Sequence, residues 1–137
     1  MVLRPHLAIL ALMLPLAAAT ATSAAAEPHP TDAQVREAAR RIYVHGMTAE
    51  IAADEIGPSG VPALLRLLED ASFPRRDNVV AFLAYLGGRE TTAPLEQLLA
   101  RGVPRGVPEE ERARLLVPHA LGRIAGRGDT AALDALL

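Results

Sequence analysis

The sequence predicts an all-α chain, an α-solenoid of about three stacked helix pairs, and three observations predict it. Apolar residues recur at helical spacing between capping residues and glycine stops along most of the chain. No segment alternates with period two for long enough to argue a strand. A helix-pair pattern repeats: Leu86-Gly87-Gly88-Arg89 through Leu98-Leu99 matches Ile124-Ala125-Gly126-Arg127 through Leu136-Leu137, 38 positions later. The same offset pairs Arg76 with Arg114 and Leu83 with Leu121. A weaker copy lies 31 positions upstream, where Gly57 and Leu64 answer Gly88 and Leu95. A period of 30 to 40 residues holding a helix pair is the mark of such a stack, because one pair alone cannot bury its leucine face.

The amino end reads as an export signal. Met1–His6 carries Arg4, and Leu7–Ala19 is an apolar run of 13 residues with Pro15 inside it. Ala24-Ala25-Ala26 offers the small residues that signal peptidase accepts, so cleavage is expected after Ala26, with Ala21 as the second choice. The run is shorter than the roughly 20 residues that span a bilayer, so no membrane span remains after cleavage. The expected division is a signal peptide over 1–26, a leader with an amino-terminal capping helix over 27–47, and helical repeats over 48–137. An exported protein, periplasmic or secreted, without Cys cannot use disulfides, and its stability must come from packing.

Each element follows in order. Thr31-Asp32-Ala33-Gln34 forms a capping box, and Val35, Ala38, Ala39 and Ile42 make one stripe on a helix to His45, stopped by Gly46. Thr48 caps a short second helix with Ile51, Ala52 and Ile56, stopped by Gly57. Ser59 caps a third, with Pro62 in its first turn and a broad leucine face. The fourth opens after Phe73-Pro74 with the stripe Val79, Phe82, Leu83, Leu86 and closes at Gly87-Gly88. Thr91 or Thr92 caps the fifth, which carries Leu95, Leu98 and Leu99. A loop over Gly102–Pro108 holds Gly-Val-Pro twice, and Glu109-Glu110-Glu111 then complements the start of the sixth helix. Its stripe is Ala113, Leu116, Val117, Ala120, Leu121, Ile124, with a kink expected at Pro118. Asp129 caps a seventh helix carrying Leu133, Leu136 and Leu137.

Val61-Pro62-Ala63-Leu64-Leu65-Arg66-Leu67-Leu68-Glu69-Asp70 and Ala120-Leu121-Gly122-Arg123-Ile124 resemble the HEAT-like repeat in its short bacterial form, over roughly Thr48–Leu137. Arg76 and Arg114 match the arginine that the family places early in the first helix of each pair, whereas the first pair lacks it. The resemblance implies that the second helices, Ser59–Asp70, Thr91–Arg101 and Asp129–Leu137, line a concave face that binds a protein or peptide. Its polar positions are Arg66, Glu69, Glu96, Gln97 and Asp134, mixed in sign. Arg75-Arg76-Asp77-Asn78 is the densest polar cluster, and either a partner contact or a brace between repeats accounts for it. In the second reading Arg76 supports the neighbouring repeat and Asp77 meets backbone N–H groups.

The chemistry of an enzyme is not expected. The 14 basic residues, all Arg, against 16 acidic ones leave no basic excess for nucleic acid. His29, His45 and His119 lack partners at i+3 or i+4, which argues against zinc, and His45 is read as meeting a helix dipole. Neither a nucleophile elbow nor a phosphate-binding glycine loop is present, and no cofactor is expected. The expected function is an exported scaffold that binds a protein or peptide without intrinsic catalysis. The alternative is the amino-terminal scaffold of a larger secreted protein, such as a hydrolase, cut at Leu137. The last helix ends on Leu136-Leu137 without a polar cap, so the expectation is that either more repeats follow or that end docks on a partner or, by self-association, on a second copy.

Overall fold

A computed structural model of the protein describes residues 29–102 and 106–137. The signal peptide expected over 1–26 and part of the Gly102–Pro108 loop lie outside these residues. The described residues are all-helical: α1 (Asp32–Arg40), α2 (Ala49–Glu55), α3 (Val61–Glu69), α4 (Arg76–Leu86), α5 (Arg89–Ala100), α6 (Pro108–Gly126) and α7 (Thr130–Asp134), with a 3-10 turn at Pro58–Gly60. Two rows of packed helices result. In one, α4 lies between α2 and α6; in the other, α1 packs on α3, α3 on α5 and α5 on α7. The rows meet where α3 packs on α4, α5 on α6 and α6 on α7.

α4 sits at the centre and is buried more broadly than a single stripe requires. Val79, Val80, Phe82, Leu83 and Ala84 are all buried, as are Arg76 and Asn78. Contacts at both ends fix its register against α6. Arg76 Nη1 donates to Glu110 Oε2 at 2.6 Å. At the other end, Arg127 donates from Nη1 to the Ala84 carbonyl at 2.9 Å and from Nη2 to the Gly87 carbonyl at 2.6 Å. Carbonyls at the end of α4 have no intrahelical partner, so a guanidinium there meets both a hydrogen-bonding need and the negative end of the helix dipole. α4 and α6 therefore run side by side in the same direction.

The capping box at Thr31 forms as expected: Gln34 N donates to Thr31 Oγ1, and Thr31 N donates to Gln34 Oε1 at 2.8 Å. α1 then stops at Arg40, well short of His45. Asn78 of α4 ends it by donating Nδ2 to the carbonyls of Ala39 (2.9 Å) and Arg41 (2.7 Å). Tyr43 turns inward, donates its hydroxyl to the Ala38 carbonyl and sets its ring edge-on to Phe82, centroids 5.7 Å apart. Ile42, expected on the buried stripe, is 77% exposed as a result. Gly46 closes a turn on Tyr43 rather than a helix. Asn78→Ala is expected to cost about 2 kcal/mol, because the buried Ala39 carbonyl and the part-buried Arg41 carbonyl lose their donor. Urea denaturation measures the loss, and hydrogen exchange at the end of α1 should quicken with it.

Two other helix starts differ from expectation. Ser59 does not cap α3: Gly57, at φ +69°, sends the chain into the 3-10 turn, and Gly60 precedes the helix with no side-chain cap. Thr91 and Thr92 lie inside α5, which begins at Arg89. Glu90 Oε1 instead accepts from Gly88 N at 3.0 Å, while Thr91 Oγ1 donates to the Gly88 carbonyl and Thr92 Oγ1 to Asp129 Oδ2. Gly87 has to be glycine, since a Cβ there would come within 2.6 Å of both the Leu83 carbonyl and Thr91 Oγ1. Thr48 and Asp129 cap α2 and α7 as expected, accepting from Ile51 N and Ala131 N. α6 stays helical through Pro118 over 19 residues. α7 ends at Asp134 and leaves Leu136 and Leu137 beyond it.

Candidate functional site

The sequence-predicted partner face maps onto one row of helices. Arg66 and Glu69 stand on α3, Glu96 and Gln97 on α5, and Asp134 on α7, all exposed. No hydrogen bond or ion pair links these five to one another among the described residues. Arg66 reaches α1 instead, where Nη2 donates to Asp32 Oδ1 at 2.6 Å. A second cross-link runs between the same helices, from Arg36 Nη2 to Asp70 Oδ2 at 3.4 Å. Both pairs are largely solvated, so each adds little to stability. They do set the polar character of that end of the row. The Asp70 carboxyl is held below the usual aspartate range, first by the Ser72 hydroxyl and N–H that donate to it and then by Arg36.

The arginine cluster turns the other way. Arg75 is half-buried and committed locally: Nε and Nη2 donate to the Asp77 carboxylate at 3.0 and 3.2 Å, and Nη2 also donates to Asn78 Oδ1 at 3.0 Å. Asp77 therefore pairs with a side chain and not with backbone N–H groups. Arg76, 3% exposed, is directed into the protein toward Glu110. It is not a surface contact, and the bracing role describes it. Arg114, 38 positions on, repeats that role more weakly by donating Nη2 to the Leu99 carbonyl at 2.8 Å.

Structure adds features that sequence patterns did not single out. An open groove of about 870 Å3 lies between α1 and α2, lined by Gln34, Glu37, Arg41, Asp54 and Glu55 among others. Arg41 pairs with Glu55 across it, which leaves the groove acidic. On α6, the Arg123 guanidinium stacks over the Tyr85 ring at 4.0 Å. A small apolar hollow of about 140 Å3 lies among Met47, Val80, Tyr85, Leu116 and His119. The Arg127 guanidinium, partly withdrawn from water and near Arg123, is shifted down from an ordinary arginine. His45 is exposed in the α1–α2 connection, off any helix end, so the dipole reading does not hold for it. The described residues contain no group of three or more His, Cys, Asp or Glu able to hold a metal ion. None of their helices is long and apolar enough to cross a membrane.

Comparison with family models, with curated proteins and with solved structures finds no match in any of the three. The functional reading therefore rests on the chain's own geometry.

Proposed function

We propose that the protein is an exported HEAT-like repeat scaffold, an α-solenoid of about three helix pairs. It holds a protein or peptide partner along the exposed side of α3, α5 and α7 and performs no catalysis of its own. One observation carries the reading: five polar side chains of mixed sign, Arg66, Glu69, Glu96, Gln97 and Asp134, stand exposed on successive helices of a single row. Mixed charge on a helix row suits a polypeptide better than a nucleic acid, which demands a basic excess. The 38-residue spacing and the Arg76–Glu110 and Arg127–Ala84 contacts between successive helix pairs support the stacked arrangement. Arg4, the Leu7–Ala19 run and Ala24-Ala25-Ala26 support export.

Two measurements test this. Mass spectrometry of the protein from the exported fraction should find a chain beginning at Glu27. A full-length cytoplasmic form would overturn the export reading. Cross-linking in that fraction should trap a polypeptide partner, and Glu69→Arg with Glu96→Arg should reduce the yield at least tenfold with unchanged helicity. An undiminished yield would remove this face as the binding surface.

A further inference from the structure

On the row formed by α2, α4 and α6, an apolar hollow and a cation meet at one aromatic ring. The hollow, of about 140 Å3, is lined by Met47 ahead of α2, by Ala81, Ala84 and Tyr85 of α4, and by Leu116 and His119 of α6. No Asp or Glu is among its lining residues. Ala81 and Tyr85 stay partly exposed, so this part of α4 is not closed off by its neighbours. Leu115 precedes His119 by one helical turn and so lies beside it on α6. It is 73% exposed and extends the apolar surface.

Tyr85 also carries the cation. The Arg123 guanidinium lies over its ring, 4.0 Å from the centroid. Arg123 follows His119 by one turn, on the same side of α6. Stacking holds a guanidinium flat without using its N–H groups. The Arg123 side chain makes no hydrogen bond or ion pair among the described residues, and its Nε is buried without a partner. Carbonyls at the end of α4 do not account for it, because Arg127 takes those of Ala84 and Gly87. Arg127 adds a second positive charge nearby: its guanidinium is shifted down first by its withdrawal from water and then by Arg123. An apolar hollow is thus edged by positive charge that no carboxylate among the described residues neutralises.

We propose that this hollow is a docking site for an acidic amphipathic helix of a partner polypeptide. That helix sets an aliphatic side chain into the hollow and a Glu or Asp carboxylate against Arg123. Charge complementarity selects the occupant: a carboxylate matches the planar fork of a guanidinium, and the lining residues offer it no negative charge. A single ring separates the two contacts. That fits two side chains one helical turn apart, whose Cβ atoms stand about 5–6 Å from each other. Ala81 and Ala84 are small, so a helix laid over α4 comes close to it. Laying an apolar helix face into such a groove is a recurrent mode of recognition. The site is separate from the α3–α5–α7 face, which lies on the other row of helices and carries both signs of charge.

The probe is an alanine- and glutamine-based helical peptide of about 16 residues, long enough to hold a helix and blocked at both ends. It carries Leu, Leu and Glu one turn apart along one face. Titrated into the isotopically labelled protein, it should shift the nuclear magnetic resonance signals of the Met47 methyl, the Tyr85 ring and the Arg123 Nε–H. These shifts should saturate with a Kd of roughly 0.1–1 mM. Replacing the peptide's Glu with Gln should weaken binding about fivefold or more, as should Arg123→Gln in the protein. Arg123→Lys, which keeps the charge but not the stacked fork, should recover only part of that loss. Ala81→Gln, which fills the hollow from a partly exposed helix position, should also weaken binding and leave Tm unchanged. Absence of saturable shifts at these residues overturns the proposal. Equal affinity for the Glu and Gln peptides overturns it too, and that comparison leaves the protein itself unaltered. Shifts confined to α3, α5 and α7 would assign the peptide to the other face and overturn it as well. Glu69→Arg with Glu96→Arg should leave this binding intact, so failure of the partner face and failure of this docking site are told apart.

Discussion

Replacing Glu110 with Ala is expected to cost about 3 kcal/mol of folding stability, the scale for removing one member of a buried ion pair. For a chain of this size that lowers Tm by roughly 10 °C. Arg76 is 3% exposed, and its Nη1 contacts the Glu110 carboxylate at 2.6 Å. Its Nε and Nη2 have no hydrogen-bond partner among the described residues, so little else compensates the charge. Guanidinium keeps its proton at any ordinary pH, and the variant must hold a buried cation without a counter-ion. The opposite result is expected when both charges go together. Arg76→Met with Glu110→Leu should recover most of the loss, because desolvating two ions roughly offsets their attraction. A double-mutant cycle by urea denaturation reads the coupling, expected above about 2 kcal/mol. A loss under about 1 kcal/mol for Glu110→Ala would mean that water reaches Arg76 and that the pair does not pin α4 to α6.

That pair also marks the limit of what the sequence could tell. Local patterns were legible where neighbours decide the outcome. The capping box at Thr31, the caps at Thr48 and Asp129, and the core positions Val79, Phe82, Leu83, Ala113, Val117 and Leu121 all depend on residues within about a turn or two. Distant partners overruled the same rules elsewhere. α1 was readable to His45 because Val35, Ala38, Ala39 and Ile42 keep helical spacing. It ends at Arg40 because Asn78, 39 residues from Ala39, takes its last carbonyls. Thr92 had the composition of a cap but donates to Asp129, 37 residues away. Arg75 and Arg76 are neighbours of one type with opposite fates, and only the position of Glu110, 34 residues from Arg76, separates them. The exposure of Arg66, Glu69, Glu96, Gln97 and Asp134 followed from helix faces and was legible. The acidic groove between α1 and α2 was not, because it exists only once the chain leaves α1 early.

Phe82→Ala should be at least as costly, about 4 kcal/mol, the usual range for an aromatic truncated to Ala in a core. Phe82 is fully buried on α4, which packs against α1, α2, α3 and α6. A fully buried ring at the centre of a helix that other helices surround leaves a cavity closed to solvent, so the lost transfer energy and the cavity term add. Phe82→Leu keeps most of the volume and should cost roughly 1.5 kcal/mol. A second readout separates this from general weakening. Tyr43 rests edge-on against Phe82 at 85°, and burial raises its hydroxyl above the ordinary tyrosine range, with Glu55 adding to the effect and Arg41 opposing it. Without the Phe82 ring, Tyr43 should swing toward water and its ultraviolet titration move down toward the ordinary range. The raised value disfavours the phenolate in the folded state, so folding weakens as alkali ionises Tyr43, and Phe82→Ala should shrink that alkaline loss. An unmoved Tyr43 titration in a folded Phe82→Ala protein would show that the Ala38 carbonyl, and not the aromatic contact, holds the ring in place.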